Sequence, residues 1–251
     1  MKLAGMLRLG FIALCLGLLE IGCRTGFVNR FAIVPPSEMA VGAWSILLAG
    51  TYNVELFQTF SSILIAGTCA VVLGFLIGAV LHAWPRGRRA ADPYLAAFYA
   101  IPLFVFYPTF ILMFGLNRVP IILVALLKGL VVVIISTMDG LDRVPGVQLK
   151  VARTMHLDAW RTTFLVKLPS AIPYFLGGVK FAFAYGILGV LGSEFILANH
   201  GIGYEISYAF NDFKNIRMYS LILIVLVLVL AMNALLSSWE RRVLKRRGLI
   251  D

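Results

Sequence analysis

Charge is scarce in this sequence. Only 14% of its 251 residues are Asp, Glu, Lys or Arg, and acids are the scarcer sign, 12 against 22 bases. A soluble domain carries about 25% charged residues, so a chain this poor in charge cannot face water on all sides. Histidine and cysteine are rarer still, three of each. Cys15, Cys23 and Cys69 lie in or beside apolar stretches, with neither metal-ligand spacing nor a paired framework, and read as small packing residues. No HExxH, no GxSxG and no cluster of His, Cys, Asp and Glu occurs, so neither catalysis nor a metal site nor a cofactor is expected of this chain. A GxxxxGK[ST] phosphate loop is missing too, so any nucleotide that drives the protein must bind a partner.

What fills the sequence is apolar, 61% of it. A bilayer core about 30 Å thick takes about 20 apolar residues per helix. Six runs qualify: Met6–Cys23, Phe60–Trp84, Tyr94–Gly115, Val119–Met138, Leu176–Leu197 and Tyr219–Trp239. The first lacks a small-x-small cleavage site before Arg24 and is read as a retained helix. With the N-terminus placed in the cytoplasm, fifteen of the 22 lysines and arginines fall inside and five outside, while Lys128 and Lys180 lie within spans. The positive-inside rule then puts both termini in the cytoplasm. The run Arg241–Arg247 reads as an anchor beside anionic lipid and not as a nucleic-acid patch.

Between the spans, Pro35-Pro36-Ser37 and Gly50 bracket a short helix expected at the outer interface, with Ser37 as its cap. Ala70, Gly74 and Gly78 in the second span, and Gly178, Ala182 and Gly186 in the fifth, form small-residue stripes for close packing or for part of a homodimer seam. Pro102 and Pro108 predict a kinked third span, a hint of a translocation pathway.

The loop Asp139–Tyr174 is too polar to span and too patterned for a linker. Pro145 opens one short helix, the chain turns at His156, and Asp158 caps a second running to Val166. Leu168-Pro169 and Pro173 are expected to break the chain before the fifth span. Trp160 and Phe164, four residues apart, supply an apolar anchor for another protein.

This loop resembles the Glu-Ala-Ala motif of binding-protein-dependent ABC importer permeases: Glu-Ala-Ala, three residues, Gly, nine residues, Ile-x-Leu-Pro. Here it reads Lys150-Val151-Ala152, His156, Val166-Lys167-Leu168-Pro169. Spacing is kept, and Ala152, Leu168 and Pro169 match. Lys150 stands where the motif has Glu, and His156 where it has Gly. The likeness runs from about Pro36 to Trp239. Ile101-Pro102, Tyr107-Pro108 and Phe114-Gly115 are similar to the third span of the nitrate, sulfonate and taurine branch. Gly192-Ser193-Glu194 and Gly201-Ile202-Gly203 are similar to the end of its fifth span and the next loop. The proline usual in its fourth span is absent.

The resemblance implies an all-α membrane protein with six transmembrane helices, the type I ABC importer permease fold with a cytoplasmic coupling helix. It divides the chain into 1–59 (first helix and outer segment), a core 60–240 with coupling loop 139–175, and a basic tail 241–251. It implies a non-enzymatic permease subunit for a small, anionic solute. The implied partners are cytoplasmic ABC ATPase subunits, an extracytoplasmic substrate-binding protein, a second copy of the chain and membrane lipid, with no nucleic acid. The implied location is the bacterial plasma membrane. Lys150, Ala152, His156, Asp158, Trp160, Leu168 and Pro169 are the expected coupling residues. Lys128, Glu194, Pro102 and Pro108 are the pathway or gate candidates. Lys128, near mid-span, lines the pathway for an anion, or is a neutral buried lysine, or pairs with a carbonyl or carboxylate. A secondary transporter is the rival reading, but it needs an inverted repeat and several midplane titratable groups, which the sequence does not offer. A membrane scaffold is the other.

Overall fold

The computed structural model describes residues 2–29 and 32–248, and among these the regular structure is entirely helical. Helix α1 (Lys2–Arg24) is followed by α2 (Pro36–Ala49) and the long α3 (Asn53–Ala83). Next come α4 (Pro85–Ala100), a 3-10 turn (Leu103–Phe106) and α5 (Tyr107–Phe114). Helix α6 (Arg118–Asp142) leads to two short helices, α7 (Gly146–Thr154) and α8 (Ala159–Thr162). A π-turn (Thr163–Lys167) joins α8 to α9 (Leu168–Leu197), and α10 (Ile202–Asn211) and α11 (Asn215–Arg246) complete the chain.

Four helical runs are long and apolar enough to cross a membrane: α3, α6, the 39 residues Ala159–Leu197, and α11. The third expected span is not one kinked helix. It is a pair, Pro85–Ala100 and Leu103–Phe114, bent by 86° at the break. Pro102 has no N–H to continue the helix and Ile101 before it is extended, so the turn of backbone between them cannot form. With that pair and α1, which covers Met6–Cys23, the count is compatible with six.

Helix α6 is the centre of the bundle: half of its apolar window is buried, against 17% for α11. It owes that place to small residues on its neighbours. A Cβ on Gly74 of α3 would lie 2.6 Å from the Cβ of Val133, and one on Gly178 of α9 would lie 2.6 Å from that of Ser136. In α6 itself, Gly129 faces Ala70 and Ala182. Both stripes are therefore used inside the chain, on neighbouring faces of α6. They are not available as a seam for a second copy.

Two local expectations are corrected. Ser37 does not cap α2, whose N-cap is Pro35. The cap comes from α1: Glu20 accepts the Ser37 N–H at 3.0 Å and its hydroxyl at 2.6 Å. Leu168-Pro169 and Pro173 do not break the chain before α9. Pro169 directly follows the π-turn at Thr163–Lys167, whose wider pitch makes room for its ring, and Pro173 is carried inside α9, so helix runs unbroken from Ala159.

Candidate functional site

Three sites emerge: a corner at one end of the bundle, the break in the third span, and a polar knot at the opposite end.

The corner is built from its turn. Helix α7 starts after Pro145 and ends where His156 takes a left-handed conformation, φ 52°. The His156 N–H donates to Arg153 O and the Leu157 N–H to Ala152 O, both at 3.0 Å. These two bonds close the last carbonyls of α7. Two residues on, the Asp158 carboxylate accepts the Arg161 N–H at 2.8 Å and caps α8. Ala152 is 2% exposed and seats α7 on the protein, and Ser170 of α9 donates to the Gln148 side chain of α7 at 2.6 Å. Leu168 and Pro169 are half-buried beneath, lining a cavity of about 320 Å³ with Phe164 and Arg247. Away from the bundle the corner is apolar. Trp160 is 71% exposed, with its ring 4.4 Å from that of Phe164, and Met155, Val147 and Leu165 are open as well. Lys150 is exposed on α7, beside this surface. The corner is thus closed by its own hydrogen bonds yet leaves its largest side chains uncovered.

At the break, Pro102 ends the gap after α4, and Pro108 sits in the first turn of α5, again where no N–H is needed. The freed carbonyls meet a cation: Lys128 of α6 donates to Tyr99 O and, at 3.3 Å, to Ile101 O. Its ammonium also lies 5.2 Å from the Tyr99 ring centre and 5.5 Å from that of Tyr185, both within cation–π range. The two phenol oxygens are 3.4 Å apart. Lys128 also faces a cavity of about 610 Å³ between the 3-10 turn, α6 and α9.

The knot centres on Glu194, 1% exposed. Its carboxylate accepts the Thr59 hydroxyl at 2.8 Å and the Gly203 N–H at 2.9 Å. Thr59 in turn accepts the Ile202 N–H at 2.9 Å. One carboxylate thereby joins α9, α3 and the start of α10, where the helix dipole favours negative charge. A Cβ on Gly203 would lie 2.6 Å from that of Glu194, so the close approach needs glycine there. In this state Glu194 is enclosed and presents nothing to a docked protein.

Proximity in sequence would not have found the partners Thr59, Tyr99 and Tyr185; each reaches its site from another helix. The available signal was chemical, because a lysine and a glutamate in apolar runs each need polar company.

Such a bundle, with four long apolar helices, a helix pair bent by 86° and an exposed apolar corner, has the form of a membrane-integral component. Residues 70–247 match the family described as "Binding-protein-dependent transport system inner membrane component". The chain is 22% identical over 246 residues to the taurine transport system permease protein TauC of Escherichia coli, with 96% of this chain and 88% of that one covered. It is 27% identical over 241 residues to the nitrate import permease protein NrtB of Leptolyngbya laminosa, covering 91% and 84%. SsuC of Bacillus subtilis, named for aliphatic sulfonates transport, is 25% identical over 223 residues, covering 89% and 81%. Among solved structures, the MetNI methionine ABC transporter in inward-facing conformations superposes with TM-score 0.62 at 16% identity, covering 78% of this chain and 94% of that one. The chain belongs to the binding-protein-dependent permease family: it is the membrane subunit of an ABC importer and not an enzyme, with ATP hydrolysis on a separate subunit. Membership brings an ATPase and a substrate-binding protein as partners.

Proposed function

We propose that the chain imports a small oxyanion through the bacterial inner membrane as one of two copies, with both termini in the cytoplasm and the α7–α8 corner seated on a cytoplasmic ATPase. The observation that carries this reading is the corner, which exposes Trp160, Met155 and Leu165 while every turn in it is closed by short local bonds. Its continuity with α9 supplies the transmission: Ala159–Leu197 is one run, so a push on α8 moves a span directly. Lys150, Ala152, His156, Asp158, Trp160, Leu168 and Pro169 are the coupling residues in this reading, and Lys128, Pro102 and Pro108 flank the pathway. Glu194 acts as part of the outer gate by holding α10 to α9. The transmembrane domain is residues 60–240, with 1–59 as the first helix and outer interfacial segment and 241–251 as a basic cytoplasmic tail. The solute class is supported by the relatives named for sulfonates, taurine and nitrate.

The test is co-purification in mild detergent with a co-expressed ABC ATPase from the same organism, followed by ATPase assay. Trp160→Ala is expected to lose or uncouple the ATPase while remaining folded in the membrane, whereas adding Ala152→Asp buries a carboxylate at the seat of α7 and is expected to displace the corner as well. Failure of the wild type to associate with any ATPase would overturn the reading.

A further inference from the structure

We propose that the cavity between the broken third span, α6 and α9 is a binding site for an organic monoanion, a sulfonate or carboxylate on an apolar body, with Lys128 as its charge-recognition group. The proposal rests on the permease reading and adds a site of selection within the membrane subunit itself.

The first observation is a missing counter-charge. Two lysines lie in the apolar runs. Lys180 is matched by Glu240 at 2.9 Å. Lys128, among the described residues, has no carboxylate in salt-bridge range; its partners are the carbonyls of Tyr99 and Ile101 and two tyrosine faces. Carbonyls and ring quadrupoles orient toward an ammonium but carry no net charge, so no described protein group balances this lysine in an apolar run, where an ionisable side chain costs at least about 2.5–3.5 kcal/mol. An arriving anion supplies what the protein leaves out. The ammonium has three N–H bonds, and the two carbonyls engage two of them, leaving one to donate.

The second observation is the cavity that this charge faces. Its volume of about 610 Å³ falls within the range for small-molecule sites, about 300–1,000 Å³. Its other walls include Leu103, Phe104, Val124, Leu188 and Phe195. One cationic pole in an apolar chamber fits a ligand that is charged at one end and apolar at the other. A bare inorganic anion would leave most of those walls unmatched.

The experiment uses the full chain with its ATPase in lipid nanodiscs, without binding protein, and two probes of nearly one shape: benzenesulfonate, an anion, and benzenesulfonamide, neutral at pH 7. Binding is read by thermal shift and by displacement titration. Benzenesulfonate is expected to bind saturably and about tenfold tighter than the sulfonamide, a difference of about 1.4 kcal/mol. Lys128→Arg keeps the preference, while Lys128→Gln, which still donates to carbonyls without carrying charge, abolishes it. Nitrate is expected to compete weakly. Equal affinity for the two probes, no saturable binding of benzenesulfonate, or an unchanged preference in Lys128→Gln would each overturn the site. ATPase association is scored in the same preparations: if it persists while the preference is absent, the site falls and the importer stands; if it is absent in the wild type, the importer reading falls on its own.

Discussion

The two ends of the bundle solve the same backbone problem with opposite means. At one end α7 stops at His156, φ 52°; at the other α10 stops at Phe213, φ 56°. Both ends close with the same pair of bonds: Phe213 N–H to Phe210 O at 3.1 Å and Lys214 N–H to Ala209 O at 2.9 Å repeat the pattern of His156 and Leu157. The next step differs. The α7–α8 corner is completed by neighbours in sequence, Asp158 on Arg161, and leaves its apolar side chains open. At the other end of the bundle the start of α10, not its stop at Phe213, is tied from across the molecule by Glu194 and Thr59, which are 135 residues apart and buried. A locally closed corner can be moved as one rigid piece. A knot drawn from three helices resists movement unless all three separate. Force would enter at the first and be held at the second.

The largest expected effect breaks the knot. Glu194→Ala leaves the Thr59 hydroxyl and the Gly203 N–H without their acceptor inside the protein. Unmet buried donors cost about 1–3 kcal/mol each, so the variant is expected to lose about 3 kcal/mol in a detergent melt. Glu194→Gln keeps one acceptor oxygen and should lose less. Equal melting of Glu194→Ala and wild type would mean that the knot carries no load. Gly203→Ala is the steric counterpart: its methyl meets Glu194 and the backbone at Leu191 O, 2.8 Å away, and overpacking costs about 1–3 kcal/mol.

At the corner the expectation reverses, with large effects on partnership and small effects on folding. Trp160→Ala removes an exposed ring, so its melting should stay within about 0.5 kcal/mol of wild type. ATPase affinity should fall about tenfold, as for an aromatic anchor. Charge sharpens this further. Helix α7 carries Lys150 and Arg153 and no acid, so its partner surface is expected to be acidic. Lys150→Glu should weaken association about tenfold at low salt and by less at 1 M salt, where the Debye length is about 3 Å. Rescue by reversing an acidic residue on the ATPase groove would fix the contact; salt-independent loss would point to shape instead.

How far these sites could be read in the sequence follows the same division. The corner was legible because its determinants are local: Pro145, His156 and Asp158 each act within a few residues, and each does what its type favours. The break was half legible. Pro102 announced a kink, but an 86° bend depends on Lys128 reaching the freed carbonyls from another helix. The knot was not legible beyond Glu194 itself, since nothing near Thr59 marks it as a partner. The error at Leu168–Pro173 has its own cause: the π-turn before Pro169 makes room for its ring, and α9 carries Pro173 within it, so neither proline stops the helix.

The smallest expected effect tests the feature that the two ends share. Left-handed backbone costs a residue with a Cβ about 1–2 kcal/mol, and glycine escapes that at the expense of greater freedom in the unfolded chain. His156→Gly and Phe213→Gly should therefore each gain about 0.5 kcal/mol in melting, and His156→Val should lose about 1 kcal/mol, since a β-branched residue tolerates positive φ least. For His156 the functional arm is the sharper one. The corner needs the left-handed turn that sets α8 against α7, and among the described residues no bond to the imidazole of His156 enters that geometry. His156→Gly should then keep ATPase coupling at the wild-type level. Loss of coupling without loss of melting temperature would mean instead that the imidazole itself touches the ATPase, and the corner would be a contact surface at His156 as well as a hinge.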